Sequence, residues 1–133
     1  MLKHSYKPLI YWSLALLLIT WGTAFLPAED YVLITAIVDN EITILIALLM
    51  YLMYKSQRVY WLSGTSYEEA VAAGSERRMS FRRAHLKIFT VARVVNLAVS
   101  FLLLFFQAGI WPQIISLCLI MITAAIFSIK IKL

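Results

Sequence analysis

Four runs of apolar residues, Pro8 to Leu26, Tyr31 to Tyr54, Leu86 to Ile110 and Trp111 to Ile129, constrain this chain more than anything else in it. A helix rises about 1.5 Å per residue, so crossing about 30 Å of hydrocarbon takes roughly 20 apolar residues, close to the length of each run. Backbone amides in lipid must be paired within their own segment, which makes such a run a helix; the period-two alternation of a barrel strand is missing. The hydrophobic share, 62%, stands well above the roughly 45–50% of soluble domains. The expected fold is all-α, a polytopic membrane protein with four transmembrane helices in two antiparallel hairpins. Its 133 residues make one domain, with spans at about 8–26, 31–54, 86–110 and 111–129 and a cytoplasmic, partly helical connection over 55–85.

Lys3 and Lys7 ahead of the first run resemble the start of a signal peptide. A cut after Ala28 would place Leu26 where a small residue is needed, so the run is expected to remain as a span. Charge sets the expected orientation. With the amino terminus, the 55–85 connection and the carboxyl terminus on one side, that side holds 11 of the 12 basic residues, Arg93 being the exception. The opposite side holds none and carries Glu29 and Asp30. The positive-inside rule then places both termini in the cytoplasm of a cell with the protein in its plasma (inner) membrane. Anionic lipid headgroups account for the net charge of +5, and no nucleic-acid partner is expected. Cys118 stands alone, without a second thiol for a disulfide or metal spacing. Neither metal nor cofactor is expected.

The connection 55–85 has internal order. Ser66 followed by Glu69 reads as a capping box opening a short helix, with Gly74 as its end and Ser75 as the N-cap of a second helix that runs toward the third span. Arg77, Arg78, Arg82 and Arg83 spread over a broad face of that second helix and are expected to meet headgroups or an acidic partner. The VYWL at 59–62 reads as an exposed interfacial patch.

The segment AIVDNEITIL, 36–45, places two carboxylates deep in the second span. A charge at the centre of a bilayer costs about 2.5–3.5 kcal/mol on insertion scales, so neither is expected to face lipid in ionised form. Residues two apart on a helix differ by about 200°, so Asp39 and Glu41 cannot share a face. Asp39 aligns instead with Thr35 and Thr43. In the third span Arg93, Asn96 and Ser100 recur at i, i+3 and i+7, with Gln107 two turns further. Depth along the two helices favours a Glu41, Asn96 and Arg93 network between them. Asp39, Glu41, Arg93, Asn96, Thr35, Thr43 and Ser100 are therefore the candidate buried ion site.

Two functions suit these features. One is a small-solute or ion- and proton-coupled transporter or channel subunit with carboxylates at mid-membrane. That reading calls for a homo-oligomer or larger membrane complex, because four helices enclose little volume. The other is a non-catalytic subunit, assembly factor or immunity-type protein that binds a larger membrane partner through the arginine cluster and the VYWL patch. No enzyme is expected, since HExxH, GxSxG and paired metal-spaced aspartates are absent from the sequence.

Overall fold

The computed structural model describes residues 2, 4–27, 29–62 and 64–133. Lys3, counted above with the basic side, and Ala28, weighed as a cleavage site, lie outside them. The described chain is helical, with no strand: α1 (Lys7–Ala24), α2 (Tyr31–Ser56), a single 3-10 turn (Val59–Trp61), α3 (Tyr67–Ala72), α4 (Gly74–Phe105) and α5 (Ile110–Ile129). By length and composition α2, α4 and α5 can cross a membrane.

Local chemistry explains where each helix begins and ends. Pro8 sits in the first turn of α1, where its missing N–H is no loss. Asp30 caps α2, its Oδ1 accepting from the amides of Val32 and Leu33 at 3.0 Å each. Gln57 ends that helix in a left-handed conformation, φ 61°. The capping box at Ser66 is present: its hydroxyl accepts from Glu69 N at 3.1 Å and the Glu69 carboxylate accepts from Ser66 N at 2.8 Å. Gly74, at φ +74°, does not separate two capped helices; it turns the chain directly into α4, so Ser75 lies inside the helix and caps nothing. α4 then continues for 32 residues, about 48 Å, which outruns a bilayer's hydrocarbon by a wide margin. It stops at Phe105, short of the expected Ile110, and Gln107 takes φ 52° in the turn that follows. Gln107 therefore leaves the face it was expected to share with Ser100.

α2 is the centre of the assembly and packs against α1, α4 and α5, while α4 and α5 pack on each other and α1 has its main packing on α2. Trp12 Nε1 donates to the Leu45 carbonyl at 3.1 Å, and Thr23 donates to Glu41 further along, so α1 and α2 run in opposite senses. Ala36, Asp39, Thr43, Met50 and Met53 are buried on α2, at the spacing of one helix stripe. Among the described residues ten buried side chains are apolar and eight are polar or charged, whereas Leu18, Phe25, Trp111 and Ile129 are each more than 70% exposed. A polar interior beneath an apolar exterior suits a chain solvated by lipid tails.

One end of the bundle is closed by an aromatic clasp. Val59, Tyr60, Ala70 and Phe81 form a buried cluster joined by Leu2, Tyr67, Ile131 and Leu133. The VYWL segment is thus not an exposed patch, for Val59 and Tyr60 are at the centre of this cluster. The Tyr60 hydroxyl accepts from Ser5 N at 2.9 Å and donates to Ser5 O at 3.1 Å; Trp61 Nε1 donates to the same carbonyl at 3.1 Å. Tyr67 donates to Leu2 O at 2.8 Å. Residues near both termini meet Val59, Tyr60, Trp61 and Tyr67 at one end.

Candidate functional site

Polar side chains from α2, α4 and α5 meet on a line across the bundle, and Asn40 is its middle. Arg93 Nη1 donates to Asn40 Oδ1 at 2.8 Å. Asn40 Nδ2 donates to Ser100 Oγ at 3.0 Å and to the Ala36 carbonyl one turn back at 2.8 Å. Ser100 Oγ donates to Gln113 Oε1 at 3.0 Å, and Gln113 Nε2 returns a bond to Ser100 O at 3.2 Å. The spacing explains the geometry: Arg93 and Ser100 are seven residues apart on one face of α4, so one α2 side chain between them reaches both. Gln113 enters from the first turn of α5, which accommodates Pro112 beside it.

The carboxylates lie outside this line. Glu41 Oε1 accepts from Thr23 Oγ1 of α1 at 2.8 Å, and its Oε2 is buried without a hydrogen-bond partner. Asp39 is 5% exposed, and its Oδ2 is likewise buried and unpartnered. As the 200° separation requires, Glu41 turns toward α1 while Asp39 shares the buried stripe of Ala36 and Thr43. Thr43 and Thr35 spend their hydroxyls on their own helix, on Asn40 O at 3.1 Å and Tyr31 O at 2.8 Å.

The expected Glu41, Asn96 and Arg93 network does not form. Arg93 is held by Asn40, Glu41 by Thr23, and Asn96, 2% exposed, keeps its Nδ2 without a partner. Glu41 and Arg93 do line one shallow groove between α2 and α4, of about 360 Å³, together with Ile37, Ile44 and Leu97. No hydrogen bond or ion pair joins them there. The physical cause is competition: an amide one residue before Glu41 lies on the arginine's side of α2 and takes the guanidinium first.

The basic cluster also divides. Arg77 and Arg83 are exposed, whereas Arg82, expected at headgroups, is 6% exposed and donates inward to Tyr54 O and to Arg78 O. Arg78 donates to Ala70 O at 2.7 Å, tying α4 to α3. Arg82 and Arg78 thus serve the bundle end, leaving Arg77 and Arg83 for surface contacts.

Asn40 and Gln113 are the residues sequence reasoning passed over. Asn40 is four residues after Ala36 and so within reach of the buried stripe. Gln113 follows a proline that a first helical turn tolerates, a signal for an inward amide and not a loop. Among the described residues no three of His, Cys, Asp and Glu come together. Comparison with protein-family models, with curated proteins and with solved structures finds no match to this chain.

Proposed function

We propose that the protein is a four-span membrane protein in which the α2 carboxylates carry a proton or small cation, as a subunit of a proton-coupled transporter or channel. One observation carries the reading: Asp39 and Glu41 each keep a buried carboxylate oxygen without a partner, while the arginine nearest in depth is committed to an amide. Buried charges kept for architecture alone neutralise each other, since an uncompensated one costs roughly 3–5 kcal/mol. Carboxylates left with spare acceptor capacity inside a bundle suit a group that gains and loses a proton.

In this reading α1, 18 residues long and so about 27 Å, is the fourth span. α1 with α2 and α4 with α5 form two antiparallel hairpins, and the aromatic clasp lies in the cytoplasm beside both termini. The basic-residue asymmetry supports that orientation in a plasma (inner) membrane. Further copies or subunits complete a pathway that one small bundle is too slender to enclose.

The test is proton flux into liposomes holding the full chain, followed with an entrapped pH-sensitive dye under an imposed pH gradient. Wild-type protein is expected to exceed empty liposomes, and Asp39→Asn or Glu41→Gln to remove most of the excess. Flux equal to empty liposomes, or unaltered in both variants, overturns the proposal.

A second reading rests on the α2–α4 groove. It opens sideways with Glu41 and Arg93 inside it, and a helix of a larger membrane partner would cover both. A non-catalytic subunit, assembly factor or immunity-type protein would use it so. Co-purification with a partner that Arg93→Met releases, with no proton flux, favours this reading.

A further inference from the structure

A second groove, between α4 and α5, differs from the one holding Glu41. Its floor is two alanines, Ala92 and Ala124, which are 7% and 4% exposed. Val91, Val95 and Leu119 stand above them as walls, each more than 40% exposed, around a space of about 430 Å³. The lining is apolar apart from Lys87 and Thr123, and the Thr123 hydroxyl is already donated to Leu119 O at 2.7 Å.

Length and charge identify what fits. On α4 the groove runs from Lys87 to Val95 and on α5 from Phe127 to Leu119, eight residues or about 12 Å on either helix. Half of a hydrocarbon core is about 15 Å, so the groove spans one leaflet and ends near the bilayer centre. A neighbouring transmembrane helix would want a groove running the full thickness. The two cations gather at the outer end: Lys87 lines it, and the Lys130 ammonium lies 5.6 Å from the centroid of the Phe127 ring that closes the same end. An apolar slot one leaflet long with paired positive charge at headgroup level complements an anionic amphiphile.

We propose that this groove is a binding site for one acyl chain of an anionic phospholipid, with the phosphate held between Lys87 and Lys130. The site is independent of the carboxylates and of any transport. Each lysine near an anionic headgroup contributes about fivefold in affinity.

The experiment uses the full chain in phosphatidylcholine vesicles doped with spin-labelled phosphatidylglycerol or spin-labelled phosphatidylcholine, reading the protein-immobilised fraction of each label. Wild-type protein is expected to prefer the anionic label. Lys87→Gln with Lys130→Gln is expected to lower that preference at least fivefold. Lys7→Gln with Lys55→Gln removes equal charge elsewhere and leaves it in place. Val91→Trp fills the groove and is expected to reduce immobilised anionic lipid, whereas Val94→Trp, on an exposed face outside the groove, does not. Retained helical circular dichroism in each variant verifies folding. Equal effects of the two charge pairs, or of the two tryptophans, overturn the proposal. So does a change of oligomeric state by Val91→Trp without loss of anionic-lipid preference, which would assign the groove to a second copy of the chain.

Discussion

Removing the Asn40 side chain strips a partner from two residues of α4 at once, because its carbonyl oxygen holds Arg93 and its amide nitrogen holds Ser100. Asn40→Leu is expected to lower unfolding free energy in detergent by about 2–3 kcal/mol, and Asn40→Asp, which keeps an acceptor for the guanidinium, by less. A double-mutant cycle separates the real partner of Arg93 from the expected one. Arg93→Met with Asn40→Leu is expected to couple by about 1–2 kcal/mol, and Arg93→Met with Glu41→Gln by less than about 0.5 kcal/mol. The burial of Asp39, Thr43, Asn96 and Ser100 was legible in their spacing, since one helix stripe holds each set. Their partners were not. Glu41 and Arg93 satisfied depth and charge, but whether two side chains meet depends on the rotation of each helix about its own axis, and that is set by packing against α1 and α5.

Backbone conformation decides more at the level of elements than side-chain contact does. Gly74 has φ +74° and nothing within 4 Å of where a Cβ would stand, so Gly74→Ala meets no clash and only the cost of the left-handed backbone. A loss of about 1 kcal/mol, measured as an earlier denaturation midpoint, is expected. Ser66→Ala removes one half of the capping box and is expected to cost about 1 kcal/mol, seen as faster hydrogen exchange at the Glu69 amide. The box itself was plain in the sequence, as was a helix running from the connection into the third apolar run. The junction was not, because Gly74 both ends one helix and begins the next, and a glycine read as punctuation implies a pause that the chain does not make. Gln113 fell within the expected span 111–129, but a single amide in an apolar run does not tell which neighbouring helix it faces.

For the whole molecule, apolar run lengths made the membrane class legible, and the structure has three helices of that kind, with α1 shorter than the others. Charge led to the expectation that both termini and the 55–85 connection share one side of the membrane; that residues near the termini pack on this connection was not legible, because Tyr60 and Trp61 read as an interfacial patch when considered without their neighbours. In the structure they close the bundle. The clasp's hydrogen bonds to residues 2 and 5 all go to their backbone, while the Leu2 side chain packs on the cluster and the rings of His4 and Tyr6 pack on Tyr60. Mutational tolerance at position 5 is consequently lopsided: its side chain is free to drift while the gripping Tyr60 and Trp61 are not. Almost any residue at position 5 is expected to preserve folding, with proline the exception because it lacks the N–H that Tyr60 receives, whereas Tyr60→Phe is expected to loosen the amino-terminal segment toward added protease. Information about how this end of the chain folds is thus written some fifty-five residues away from it.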